Sequence, residues 1–331
     1  SIGSELCRQI YLLGVKKLIL LDHSEVALYK IDLELNNSLD VFPILCSVVN
    51  QDRVEEICKK FSVQTIYHAA AYKHVPMVEF NNTEGVINNI FGTLSVANAA
   101  INCSVETFVF ISTDKAVRPT NTMGATKRCS EIILQALSNN QRLTQFMMVR
   151  FGNVLDSSGS VIPLFKNQIQ KGGPLTVTDK DIVRYFMTIS EAVELVIQAG
   201  AMGKGGDIFV LNMGDPVRIY DLALKMIRLS GLEVLDKNNP NGDIEIKYTG
   251  LRPGEKLYEE LLLSGDVTET EHKLIMRAIE EKIDWSELKP ILKSLEEATI
   301  DSNHQKLRDL LIKIVPEFKP QSKIVDFLFR D

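Results

Sequence analysis

No uninterrupted apolar run approaches the ~18–20 residues that a membrane span needs. No basic n-region followed by an apolar h-region opens the chain. Basic residues are in deficit: 37 Lys and Arg stand against 43 Asp and Glu, for a formal net charge of −6. A nucleic-acid protein needs the opposite balance on its surface, and that class finds no support here. No two cysteines have CxxC spacing. The five (Cys7, Cys46, Cys58, Cys103 and Cys129) are odd in number and mostly have apolar neighbours. They read as small buried hydrophobes in a reducing compartment. The five histidines have no ligand spacing, so no metal site is expected. Internal repeats and low-complexity tracts are also missing. What remains is globular: 331 residues, 45% hydrophobic and 24% charged, enough for a large domain alone or with a smaller one.

Ile2, Leu6, Ile10 and Leu13 recur at helical spacing, and Gly14 ends the helix they predict. Leu18-Ile19-Leu20-Leu21-Asp22 follows, a short apolar run closed by an acid, which reads as a buried parallel strand. Helix, then buried strand ending in Asp, is the second half of a dinucleotide-binding βαβ unit. Asp22 lies 19 positions after Gly3, so Gly3 fits the last glycine of such a unit's motif. The unit's first strand and earlier glycines are not in the sequence, and an N-terminal stretch is expected ahead of Ser1.

Further strands are expected at Val41–Leu45, Thr65–Ala71, Thr107–Thr113 and Phe146–Phe151. Helices are expected at Gln51–Lys60, about Gly85–Asn102 and about Ala125–Ser138. This alternation predicts an α/β fold, a Rossmann-type doubly wound parallel sheet over 1–151. Residues 152–331 are expected to form mainly a smaller α/β substrate-binding region, with some segments returning to the first domain. Within it, helices are expected at Gly159–Lys171, Ser190–Met202 and Ile219–Gly231, with a short strand at Ile208–Leu211. Asn238–Gly242 reads as a surface loop. The region from about Thr268 reads as helical and charged.

Ligands of such sheets bind beyond the carboxyl ends of the strands. Ser112-Thr113-Asp114-Lys115 leaves one strand there, and Met123-Gly124-Ala125-Thr126-Lys127 opens the next helix. Short-chain dehydrogenase/reductases hold Tyr-x-x-x-Lys at this place, and the phenolate is their base. Here Lys127 is present but Met123 replaces the Tyr, and a thioether cannot take that proton. Asp114-Lys115 offers a carboxyl group and an amine instead, which can supply an acid and a base; the amine needs a depressed pKa to serve as the base.

These residues carry a resemblance. HAAAYKHVPMVE at His68–Glu79, STDKAVRPTNTMGATKR at Ser112–Arg128, RFGNVLDSSGSVIPLF at Arg150–Phe165, RYFMTISEAVELV at Arg184–Val196 and GLRPGEKLYEELL at Gly250–Leu262 resemble the UDP-N-acetylglucosamine 4,6-dehydratases. These are extended short-chain dehydrogenase/reductases, and the closest likeness is to their large, membrane-anchored, CapD-like branch. The likeness runs to about residue 265. Met123 suits that branch, and Asp156, where the family usually has Gly, departs from it.

The resemblance implies NAD, with Gly3 near the pyrophosphate and Asp22 on the adenosine ribose, where its charge would disfavour NADP. Ser47 and Val48 would lie by the adenine. Ala69, Ala70 and Lys73 would flank the nicotinamide half, and Lys127 its ribose. It implies UDP-N-acetylglucosamine as substrate, with Lys115 removing the C5 proton and Asp114 protonating the departing C6 hydroxyl. Thr113, Asp114 and Lys127 are candidates for taking the C4 hydroxyl proton. Asn153, Arg184 and Arg252 would meet the phosphate side of the sugar nucleotide, and Glu255 the uridine ribose; Lys73 would also serve the substrate. A homodimer or larger homo-oligomer pairing the helices at about 85–102 and 125–138 is expected. So is a cytoplasmic location, as the cytoplasmic portion of an inner-membrane protein if the expected N-terminal stretch spans the membrane. Two alternatives remain open, a sugar-nucleotide C4 epimerase and a non-catalytic NAD-binding regulator.

Overall fold

The computed structural model describes residues 1–35, 40–260 and 267–329. Helix α1 (Ile2–Leu12) buries Leu6 and ends before Gly14, whose φ of 75° costs a residue without a Cβ little. Strand β1 (Leu18–Asp22) and strand β2 (Val41–Leu45) pair in parallel, Leu18 opposite Val41 through Asp22 opposite Leu45. Between them runs α2 (Glu25–Leu35), a helix not expected from the sequence. Its signal is nonetheless there: Leu28, Ile31 and Leu35 are spaced three and four apart, and all are buried.

Helix α3 (Gln51–Phe61) leads to β3 (Thr65–His68). Two short helices, α4 (Val75–Glu79) and α5 (Asn82–Val86), come next. A π-helical turn at Ile87–Phe91 then joins α5 to α6 (Gly92–Asn102). Strand β4 (Thr107–Ile111), α7 (Thr122–Asn140) and β5 (Gln145–Arg150) complete the alternation. Strands β3, β4 and β5 pair in parallel, as their continuous apolar character predicts. Among the described residues no ladder joins β1 to β3. The cleft described below continues between those two edges, which carry Leu18–Leu21 on one side and Thr65–Tyr67 on the other.

The second half first builds a small unit. It contains β6 (Asn153–Val154), α8 (Val161–Gln170), β7 (Leu175–Val177), β8 (Val183–Arg184) and β9 (Phe186–Met187). The chain then returns to the main sheet through α9 (Ile189–Met202) and β10 (Asp207–Leu211), the latter parallel to β5. Strand β11 (Val217–Arg218), α10 (Ile219–Leu229) and β12 (Ile246–Tyr248) go back to the small unit. There Phe165, Leu175, Val177, Ile219, Ala223 and Ile227 form a core of their own. Asn238–Gly242 is a loop, as expected.

The region after residue 267 corrects an expectation. It begins as a hairpin, β13 (Val267–Glu269) and β14 (Ile275–Ala278), and β14 pairs antiparallel with β10. The main sheet therefore runs β13-β14-β10-β5-β4-β3. Strands of three or four residues are too short to show alternation in a charged sequence. Only then come α11 (Trp285–Ile300) and α12 (His304–Ile314).

These two helices bear on the expected subunit pairing. Leu288, Leu292, Leu295, Leu307 and Leu311 share one core with Ala125, Cys129, Ile132 and Ile133 of α7. Every residue of α7 from Thr122 to Leu137 is buried. Among the described residues, α7 packs against this chain's own C-terminal helices.

Candidate active site

Strand β4 places the central residues. Its ladder to β5 extends past the last paired residues, with Ser112 N–H donating to the Val149 carbonyl (2.8 Å) and Asp114 N–H to the Phe151 carbonyl (3.0 Å). The backbone then turns through a single 3-10 turn, Asp114–Ala116, capped by Thr113. Thr113 Oγ1 donates to Asp114 Oδ1 at 2.8 Å. Lys115 Nζ sits 3.0 Å from the same oxygen, 3.6 Å from Glu259 Oε1 and 3.5 Å from Asn153 Oδ1. Burial pulls the Lys115 amine down, but the carboxylates of Asp114 and Glu259 outweigh it and leave its pKa raised. The depressed amine that a resting base needs is therefore not found at Lys115. Asp114 is 1% exposed, and its Oδ2 is buried with no hydrogen-bond partner.

The depressed amine is Lys127. One turn after Met123 on α7, its Nζ lies 3.7 Å from the Phe110 ring centroid. Burial lowers its pKa to about 7, partly opposed by Glu131. Met123 is 3% exposed and stands on the cleft wall with Lys127.

Two glycines set the approach of these elements. A Cβ on Gly124 would fall 2.2 Å from the Lys115 carbonyl oxygen, so α7 can start this close to the 3-10 turn only with glycine there. A Cβ on Gly152 would lie 3.3 Å from Asp114 Oδ2. Asn121 caps α7 by accepting from Gly124 N–H (2.8 Å), and its amide donates to the Gly254 carbonyl (3.0 Å).

Beneath this lip lies a buried ion network. Glu131 accepts from Ser112 Oγ (2.6 Å) and from Arg150 (2.8 and 2.6 Å), while Arg128 spans Glu131, Glu280 and Glu317. Carboxylates satisfied from several sides stay charged at such depth.

A cleft of about 1900 Å³ runs from the start of α1 across the ends of β3 and β4 into the small unit. Gly3, Asp22, Ala69, Ala70 and Lys73 line its first half, and Val48 reaches it too. Ser47 is exposed and does not. Asp22 closes β1 with its side chain 47% exposed, and Oδ1 accepts from Ser24 N–H (2.8 Å). Asn89, in the π-helical turn, fixes the Ala69–Lys73 segment. Its amide takes the Tyr72 N–H (2.8 Å), donates to the Tyr72 carbonyl (3.0 Å) and reaches Thr126 Oγ1 (3.0 Å). A π-turn that re-aims one side chain is a familiar device at such sites.

Thr113, Lys115, Lys127, Asn153 and Glu259 line the middle of the cleft; Asp114 lies one layer behind Lys115. Arg184, Arg252 and Glu255 line the far half. Arg252 is exposed. Arg184 is buried and spends its terminal nitrogens on the carbonyls of Val183, Lys256 and Leu257 and on Glu255 Oε1 (3.3 Å), holding the segment that carries Arg252. Glu255 Oε2 accepts from Arg252 N–H (3.1 Å). Leu261 and Leu262, the end of the last motif, lie outside the described residues.

Glu259, Gly124, Gly152 and Asn89 went unnoticed in the sequence. Glu259 could have been suspected as an acid three positions after the buried Lys256, but nothing in the spacing aims it at Lys115. Asp156 resolves its own oddity. It adopts φ 60°, the left-handed conformation natural to glycine, and pairs with Lys166 at 3.0 Å.

Residues 1–280 match a family described as polysaccharide biosynthesis protein. The chain is 52% identical over 271 residues to the capsular polysaccharide biosynthesis protein CapD of Staphylococcus aureus, covering 81% of this chain and 44% of that protein. The chain thus spans less than half of that relative. It is 37% identical over 226 residues to the UDP-glucose 4-epimerase of Rickettsia akari, covering 68% and 62%. Among solved structures it is similar to Pen from Bacillus thuringiensis, with a TM-score of 0.75, 34% identity, and 86% and 85% of the two chains covered.

Proposed function

This chain belongs to the polysaccharide biosynthesis protein family, and on that footing we propose that it converts UDP-N-acetylglucosamine to a UDP-4-keto-6-deoxy-N-acetylhexosamine by 4,6-dehydration. The observation that carries the reading is the buried Asp114–Lys115 pair at the sheet lip, 3.0 Å apart, where Met123 replaces a phenolic base.

The two ends of the cleft offer two different donor sets, Asp22 and Lys73 at one and Arg252 and Glu255 at the other. A nicotinamide dinucleotide suits its first half by donor set. The first turn of α1 lines the cleft, where its N–H groups would meet a pyrophosphate, and Asp22 offers a carboxylate to ribose hydroxyls. That carboxylate would repel a 2′-phosphate, which favours NAD over NADP. A nicotinamide held there by Asp22, Lys73 and the start of α1 would supply the hydride-transfer chemistry that a 4,6-dehydration needs.

The chain's own residues handle the protons. Lys127, near neutrality in its burial, accepts the C4 hydroxyl proton in the role a phenolate plays elsewhere. With a ketone at C4, the C5 proton becomes acidic. Passing one proton from Lys115 Nζ to Asp114 Oδ1 turns the ion pair into a neutral amine and a neutral acid. That is the base for C5 and, through the Thr113 hydroxyl that touches Asp114 Oδ1 and lines the cleft, the acid for the C6 hydroxyl, obtained with no net proton uptake; water leaves C6, and Lys115 then returns its proton to C5. Closing the cleft over substrate removes water and favours the neutral pair over the charged one. The exposed Arg252 offers paired donors to the diphosphate, and Glu255 accepts from the uridine ribose.

A C4 epimerase would need no base for C5 and no acid for C6, and the relative named for that activity is less similar to this chain. Lys115→Ala separates the readings. NAD and UDP-N-acetylglucosamine are expected to bind as before while formation of the 4-keto-6-deoxy product stops. Undiminished product from this variant would remove Lys115 from the mechanism.

A further inference from the structure

The segment from Arg252 to Glu260 grips the turn that carries Asp114 and Lys115. Lys256, itself buried, donates to the carbonyls of Val117 (3.2 Å) and Arg118 (2.9 Å). Glu260 pairs with Arg118. Between these two anchors Glu259 reaches Lys115 Nζ at 3.6 Å. Its side chain is 3% exposed, it lines the cleft, and its second oxygen is buried with no hydrogen-bond partner. A buried carboxylate left half-satisfied is costly unless a charge beside it compensates, and the ammonium of Lys115 is that charge.

We propose that Glu259 is a positioning residue of the proton-handling centre: through Lys115 it holds the amine beside Asp114 and ties it to the segment bearing Arg252 and Glu255. The proposal rests on the dehydratase reading for its kinetic consequence but not for its electrostatic one. Four charged groups face the Lys115 amine. Asp114 and Glu259 favour its charged form; Arg184 and, more distantly, Lys73 oppose it. Removing the Glu259 charge takes away one of the two carboxylates that keep the proton on Lys115. Its titration must then move to lower pH, by about one unit for an opposite charge at this range. The same loss frees the amine to leave the position that Asp114 needs.

The test uses Glu259→Gln, which keeps the shape, and Glu259→Asp, which keeps the charge on a shorter arm. Competitive acetylation of Lys115 across pH, read by mass spectrometry with NAD present, reports the amine without requiring turnover. Glu259→Gln is expected to react at a pH about one unit lower than the parent chain, with Glu259→Asp in between. In turnover of UDP-N-acetylglucosamine, Glu259→Gln is expected to lose about ten- to a hundredfold in kcat, with KM little changed and the alkaline limb of the pH profile, where the Lys115–Asp114 pair loses its shared proton, moved downward. Glu259→Asp should recover part of the loss. Acetylation and a pH profile unchanged in Glu259→Gln would overturn the proposal, as would a rise in KM alone. If the parent chain does not dehydrate the substrate but the acetylation shift is present, the positioning role stands and the reaction assignment falls.

Discussion

A lysine amine buried between α7 and the Phe110 ring of β4 costs the folded protein stability wherever it must carry charge. Lys127 has its folded pKa lowered from 10.5 to about 7 by burial, partly offset by Glu131. Between those two values the unfolded chain binds more protons than the folded one, so this group's contribution makes stability rise with pH through that window. Replacing Lys127 with Met is expected to raise the unfolding free energy from urea melts at pH 7, by an amount on the order of a few kcal/mol, moving the midpoint up, and to flatten its dependence on pH from 7 to 10. The same variant should lose turnover. A midpoint that falls would show that the amine is held by contacts worth more than its desolvation. Met123 is a wall, not an acid or base, and Leu has a similar volume. Met123→Leu should keep kcat within about tenfold, measured against UDP-N-acetylglucosamine.

Between elements, the decisive approach is that of α7 to the 3-10 turn at Asp114–Ala116. Gly124 is the hinge of that contact, since any Cβ there would strike the Lys115 carbonyl. Gly124→Ala should therefore push the turn away from the helix start and lower kcat by about a hundredfold, because an ångström of misplacement costs that much. Unchanged kcat would show that the turn yields without moving Asp114 or Lys115. The physical reason such residues escape a sequence reading is plain here. Asp114, Lys115 and Lys127 announce themselves by chemistry and by their place after a strand and at a helix start. Gly124 and Gly152 matter for what they leave out. Glu259 matters because the chain folds it back across 144 positions onto Lys115. The alternation of β3, α6, β4, α7 and β5 was legible in apolar runs and helical spacing. The hairpin β13–β14 was not, being too short to show a period.

At the scale of the molecule, the C-terminal helices form a layer over α7. Helices α11 and α12 bury the face of α7, and Arg128 fastens them through Glu280 and Glu317. The tail continues the wrapping, with Lys319 and Gln321 N–H groups donating to the carbonyls of Pro119 and Thr120, on the loop between Lys115 and α7. Arg128→Met leaves buried carboxylates without their cation and is expected to cost about 3–5 kcal/mol, read from urea unfolding. A loss well under 1 kcal/mol would mean that the network is not what secures this layer. The sequence alone could mark α7 as a helix; that α11 and α12 pack on it depends on chain 145 or more residues later folding back.

Expulsion of water from the hexose depends on the Asp114–Lys115 pair. Incubating the chain with NAD and UDP-N-acetylglucosamine in deuterium oxide, and following the sugar by proton NMR, tests this most directly. The expected result is a 4-keto-6-deoxy sugar nucleotide with deuterium at C5, formed by the parent chain and not by Lys115→Ala. Accumulation of UDP-N-acetylgalactosamine with the C5 proton retained would contradict it.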